Sequence, residues 1–142
     1  MTTVEFWVAG KPIGYNRDAA RFSYLSADAR AWRFDVAAAY HKAAGFVPPH
    51  IGPVSLAVQA YGCTLDGDNA LKEIADALNG VAYRDDNQVT SWAVSFPERE
   101  VTPKGKARRT GETREGALIT LTLHPPQTPT KRARSPRARR TR

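Results

Sequence analysis

Apolar and polar positions alternate at the start of the chain, with Val4, Phe6 and Val8 on one side, which is the two-residue period of a half-buried strand over 3–9. Gly10 and Pro12 end it. The following KPIGYNRDAARFSYLS is polar, basic and aromatic without a period, so it reads as a long loop. Long ordered loops tend to carry function. Ser26 suits a helix N-cap, and the alanine-rich stretch after it sets Ala29, Trp32, Val36 and Ala39 or Tyr40 on one helical face, with Gly45 as the C-terminal stop. Pro48, Pro49 and Pro53 break the chain, and Val54, Leu56, Val58 and Ala60 then restore strand alternation. Leu71, Ile74, Ala75 and Leu78 stand at helical spacing in 68–79, a short amphipathic helix closed by Asn79-Gly80.

A third strand follows in QVTSWAVSF, with Trp92, Val94 and Phe96 on one face and Val89 and Ala93 on the other, so both faces are expected to be partly buried. Residues 97–116 hold Pro97, Pro103, Gly105, Gly111 and Gly116 around the run KGKARR and read as a mobile connection. ALITLTL makes the last strand. The order β-α-β-α-β-β predicts an α+β domain, a mixed or antiparallel sheet with helices packed on one face, spanning 1–124. From Pro125 to Arg142 there is no acidic residue and no aromatic, which predicts a disordered basic tail over 125–142. No internal repeat is present.

The charge changes this picture less than its total suggests. The chain has 142 residues and a net charge of +7, yet residues 1–124 hold 14 Lys+Arg against 14 Asp+Glu. The excess sits in the tail, on Lys131, Arg132, Arg134, Arg137, Arg139, Arg140 and Arg142. One domain is expected at this length. No apolar run approaches the ~20 residues of a membrane span, and the N-terminus lacks the pattern of a secretory signal. The lone cysteine, Cys63, forms no internal disulfide, and with three scattered histidines it gives no zinc-ligand spacing. A reducing, cytoplasmic setting is expected, and Cys63 reads as a small buried residue without a chemical role.

The informative stretch is LDGDNALKEIADALNGVAYRDDNQV, where five aspartates, Asp66, Asp68, Asp76, Asp85 and Asp86, fall within 21 residues. Asp66 and Asp68 are two apart just before a helix, so in an extended segment their carboxylates point the same way. Like charges held together favour a cation between them or a proton on one. Oxygen-only ligands suit Mg²⁺ or Mn²⁺. Asp85 or Asp86 is expected to bring a third carboxylate back from the strand that follows the helix, and since neighbours on a strand face opposite ways, one of the two reaches the metal. Lys72, a turn inside the helix from Asp68, is placed to neutralise a bound phosphate. Each piece has a plainer structural reading: Asp66 and Asp68 as helix caps, Asp85-Asp86-Asn87 as a turn, Asp68 with Lys72 as an exposed ion pair.

Their joint order is more specific. Asp66-Gly67-Asp68-Asn69-Ala70-Leu71-Lys72, then Asp76-Ala77-Leu78-Asn79-Gly80, then Asp85-Asp86-Asn87-Gln88-Val89 resembles the signature of RusA-type Holliday junction resolvases. Around it, Pro12 and Asn16 match the family's polar loop loosely. Gly67 replaces an apolar residue often found between the aspartates, and the KGKARR run and the basic tail lie outside the family pattern. The resemblance implies an endodeoxyribonuclease with Asp66, Asp68 and Asp86 as metal ligands, Asp85 a further candidate, and Lys72 as catalytic helper. It also implies Mg²⁺ as cofactor, with Mn²⁺ able to substitute, and a homodimer whose two sites nick opposed strands of a four-way junction in recombination, repair or debranching of replicated DNA.

Arg17 and Arg21, mixed with Tyr15, Phe22 and Tyr24, are candidates for phosphates and unstacked bases, or else form a solvated loop with its rings in the core. Lys104, Lys106, Arg108 and Arg109 are candidates for tracking the DNA backbone, and Lys131, Arg132 and Arg134 of the tail for salt-sensitive, sequence-independent contact. Two other functions remain open: a non-catalytic DNA-binding or packaging protein on the same fold, and a nuclease for flaps and forks. A compact protein with a basic tail would suit a bacteriophage, acting in a bacterial or phage-infected cell.

Overall fold

A computed structural model describes residues 1–10, 27–62, 67–109 and 114–127, with the backbone alone for 67–68 and 107–109. The chain runs β1 (Thr2–Ala9), α1 (Ala27–Ala44), β2 (Val54–Tyr61), α2 (Gly67–Leu78), a 3₁₀ turn (Asp86–Gln88), β3 (Val89–Ser95), β4 (Arg99–Val101), β5 (Ala107–Arg109) and β6 (Gly116–Leu123). It is an α+β domain built on a four-stranded mixed sheet in the order β1-β6-β2-β3. β6 pairs antiparallel with both β1 and β2, whereas β3 pairs parallel to β2, because the α2 crossover returns the chain to the end where β2 began.

Strand alternation does what the pattern predicts. Val4, Phe6 and Val8 of β1, Val54, Leu56, Val58 and Ala60 of β2, and Ala117, Ile119 and Leu121 of β6 are all buried in one cluster. Against them lie Trp32, Val36 and Tyr40 of α1 and Ala70, Ile74, Ala75, Ala77 and Leu78 of α2. Tyr40 meets Phe6 edge to face at 5.9 Å between ring centroids. Gly45 ends α1 in the left-handed region (φ +84°), its N–H donating to the His41 carbonyl at 2.8 Å, which satisfies one of the helix's open acceptors. On the outer face, the Trp7 indole lies over Gly116 and against Tyr61, where a Cβ at position 116 would run into the indole and the Val8 carbonyl.

Two expectations are corrected. β3 is an edge strand, and Val89 alone of its residues is buried. A register shift carries Val54↔Val89 to Ser55↔Ser91, and Leu56 then pairs with Trp92, so Val89 and Trp92 both face the helices instead of opposite sides. Ala93 is exposed. The second correction concerns 97–116. Instead of a mobile connection, β4 and β5 form an antiparallel hairpin in the register Arg99↔Arg109, Glu100↔Arg108, Val101↔Ala107. Its turn is Thr102-Pro103-Lys104-Gly105: the Gly105 N–H donates to the Thr102 carbonyl and the Thr102 N–H to the Lys106 carbonyl, both at 2.8 Å. Proline presets the first turn position, and Gly105 takes the left-handed one (φ +79°). The hairpin adds two strands to the order read from the pattern.

Candidate functional site

Asp66, Cys63, residues 11–26 with Arg17 and Arg21, and Lys131, Arg132 and Arg134 lie outside the described residues. Asp68 is in the first turn of α2, and Lys72 follows one turn later with its side chain exposed. Asp76 is one further turn on and half-buried, so positions 68, 72 and 76 form a row along the helix.

Asp85 and Asp86 open the 3₁₀ turn that leads into β3, and the structure gives them different work. Asp85 is its N-cap: its Oδ1 accepts the Asn87 N–H at 3.1 Å, in a capping box whose return arm is the Gln88 side chain. Asp86 stands inside the turn with its carboxyl raised above the usual carboxylate range. The first cause is hydrogen bonding with the Asp85 carboxyl, followed by burial and by the negative charges of Asp85 and Asp76. Tyr83, fully buried, ties this turn to the helix by donating to the Ala75 carbonyl at 2.7 Å. Its hydroxyl is pushed up by burial and then by the charges of Asp86 and Asp76.

The Asp86 turn therefore lies towards the C-terminal end of α2, since the parallel β3 starts level with Val54, where β2 begins. Asp68 stands at the opposite, N-terminal end of that helix. Eight residues separate Asp68 from Asp76, a rise of about 12 Å. Ligands of one Mg²⁺ lie at about 2.1 Å from it. Among the described residues no three His, Cys, Asp or Glu side chains stand close enough to hold an ion. The donor set fits a hard divalent cation in kind, since carboxylate oxygens are the ligands that Mg²⁺ and Mn²⁺ take.

An ion network beneath this row was missed in the sequence. Glu73 is only 3% exposed, on the buried face of α2, and Arg33 of α1 donates to it through Nη2 at 3.0 Å and Nε at 3.3 Å. The same Nη2 reaches Asp76 Oδ2 at 3.4 Å. A signal was present, because Glu73 stands between Ala70 and Ala77 at the spacing of the apolar face.

The basic hairpin follows β3. Lys104 and Lys106 are exposed at its tip, and Arg108 and Arg109 lie in β5. Arg99 and Arg109 face each other in register, and the Arg99 guanidinium stacks on the Phe96 ring at 3.7 Å from its centroid.

The model of the RusA endodeoxyribonuclease family matches residues 9–108, a span that holds both helices, the Asp66–Val89 signature and the first hairpin strand. The chain belongs to the RusA family. RusA proteins are endodeoxyribonucleases, so the aspartate-rich helix and turn sit in the part of the chain that the family shares. No curated protein matches the chain individually. Among the described residues no helix is long and apolar enough to cross a membrane.

Proposed function

We propose that this RusA-family chain is a divalent-metal-dependent endonuclease that resolves four-way DNA junctions as a homodimer, with Asp66, Asp68 and Asp86 as metal ligands and Lys72 beside the scissile phosphate. The observation that carries the reading is the family match over 9–108, which spans all four of these residues, with the Asp86 turn packed against the helix that bears Asp68 and Lys72. Asp85 is occupied as a cap, which leaves Asp86 as the ligand of the pair. A bound Mg²⁺, or Mn²⁺ in its place, would supply a water acidic enough to attack phosphorus and would offset charge on the departing 3′ oxygen. Lys72, exposed on the same helical row, adds positive charge where the phosphate becomes more negative.

The separation of Asp68 from Asp86 along α2 supports the dimer. A two-fold axis that sets the Asp86 turn of one chain against the α2 start of the other completes two equivalent sites. Opposed strands of a junction need two such sites. The β4–β5 hairpin serves as a basic arm for the DNA backbone, through Lys104, Lys106, Arg108 and Arg109, since a two-stranded ribbon fits a major groove. Arg17 and Arg21 are proposed to contact the junction, and Lys131, Arg132 and Arg134 to add sequence-independent affinity. Such an enzyme works on DNA in the cytoplasm of a bacterial or phage-infected cell.

The deciding experiment is cleavage of a labelled synthetic four-way junction beside linear duplex, flap and fork, with Mg²⁺ or with EDTA. Paired symmetric nicks on the junction, abolished by EDTA, are expected. Equal cutting of flaps and forks would make it a broader nuclease, and binding without cutting under any metal would leave a DNA-binding or packaging protein. Deleting residues 128–142, which removes seven basic side chains, is expected to weaken junction binding and to flatten the dependence of log K on log salt. An unchanged salt slope would remove the tail from the interface.

A further inference from the structure

The side-chain amide of Gln88 is fully used, and every bond it makes is to main chain. Its Oε1 accepts the N–H groups of Arg84 at 2.9 Å and Asp85 at 3.0 Å, the two residues just before Asp86. Its Nε2 donates to the carbonyls of His50 at 2.7 Å and Gly52 at 3.0 Å, across the chain in the segment that leads into β2. An amide has two acceptor sites and two donors, and here all four are spent on joining two backbone segments.

The platform it grips is itself held. The His50 N–H donates to the Ala82 carbonyl at 2.8 Å, and its ring Nε2 bonds the His124 carbonyl at 2.6 Å. The His124 N–H returns to the Pro53 carbonyl at 2.9 Å, and its ring bonds Ser55 Oγ at 2.8 Å. Gly52 lies so close to the His124 carbonyl that a Cβ there would collide with it. At the Asp86 turn itself Arg84, Asp85 and Asn87 are exposed, and the bonds within it, from the Asn87 N–H to the Asp85 side chain and from the Gln88 N–H to the Asp85 carbonyl, are local.

We infer that Gln88 is a positioning residue for the nuclease reaction, clamping the Asp86 turn onto the His50–Gly52 platform so that the Asp86 carboxylate is held in place for a divalent cation. The inference rests on the reading of Asp86 as a metal ligand. It explains why a glutamine, and not merely a polar residue, stands two positions after Asp86. A side chain one methylene shorter cannot span from the Arg84 and Asp85 amides to the His50 and Gly52 carbonyls, and a carboxylate would set oxygen against those carbonyls.

The test compares full-length wild type, Gln88→Met and Asp86→Asn, with Gln88→Asn as a second variant should the methionine form fail to fold. Thermal melts establish folding. Mn²⁺ binding is read by electron paramagnetic resonance, amide exchange at Arg84 and Asp85 by NMR, and junction cleavage as a function of metal concentration. The Gln88 variant is expected to exchange both amides faster and to bind Mn²⁺ roughly 10- to 100-fold more weakly. It should also need correspondingly more metal for half-maximal cleavage, with rate recovered at high metal and metal-free junction binding unchanged. A merely structural loss would lower the melting temperature without moving the metal dependence, and that result overturns the proposal. So does a Gln88 variant that binds Mn²⁺ like wild type while Asp86→Asn does not. If Asp86→Asn itself binds Mn²⁺ and cuts like wild type, the ligand assignment falls, and the role of Gln88 with it.

Discussion

Mixing Asp68→Asn protein with Asp86→Asn protein is expected to restore nicking that neither shows alone. Each variant by itself should cut a four-way junction about 10²- to 10³-fold more slowly than wild type, since it lacks a charged group at the reacting phosphate, while still binding the junction through its unchanged basic segments. The recovery follows from where α2 places the two residues. The Asp86 turn lies towards the C-terminal end of α2 and Asp68 at its start, with about 12 Å of helix rise from Asp68 to Asp76, so the proposed site that uses both would draw them from different chains. A mixed dimer then carries one site with both substitutions and one with neither. Random exchange makes about half of the dimers mixed, so about a quarter of the wild-type number of intact sites returns, and each mixed dimer nicks a single strand. Subunit exchange is verified with differently tagged chains. No recovery despite exchange sinks the shared site, and wild-type cutting by either variant alone removes that residue from the metal.

Arg33→Met should cost about 3 kcal/mol of stability, read as a lower urea midpoint with an unchanged slope. The reason is the state in which it leaves Glu73. That carboxylate is 3% exposed and is held by two donated hydrogen bonds from the Arg33 guanidinium. With methionine in place of arginine, the charge stays buried without its partner, and a buried ion left alone is far more costly than no ion at all. The double variant Arg33→Met/Glu73→Leu should therefore recover most of the loss, because removing both charges removes the desolvation problem with them. A loss below about 1 kcal/mol in the single variant would show that Glu73 finds water or a proton instead. The same pair joins α1 to the helix that carries Asp68 and Lys72, and Arg33 also reaches Asp76, so the double variant separates stability from catalysis.

Much of the fold was legible before any tertiary contact. The alternation of Val4, Phe6 and Val8, of Val54 through Ala60, and of Ala117 through Leu121 marks one buried face because side chains on a strand have a period of two. Ala29, Trp32, Val36 and Tyr40 are the buried face of α1 because the helical period is 3.6. The signature from Asp66 to Val89 was legible as well, since it is a local order of residue types, and the family match over 9–108 bears out the recognition. The hairpin over 99–109 had its signal in Pro103 and Gly105, yet the basic residues around them read as solvated loop, and strands of three residues leave too little alternation to see.

What the sequence by itself determined is the inventory: one α+β domain, its core faces, and an aspartate-rich unit of the RusA type. What the tertiary structure decided is who stands beside whom. Spacing along the chain brought Asp86 back toward α2 but could not say to which end of it, because that depends on β3 lying parallel to β2 and so starting at the helix's far end. Nor could it divide the work of Asp85 and Asp86, adjacent and chemically identical, until the 3₁₀ turn made one of them a cap. Glu73 and Gln88 look like ordinary polar residues in the sequence. Their roles come from partners 40 and 38 positions away, and contacts at that separation exist only once the chain has closed on itself.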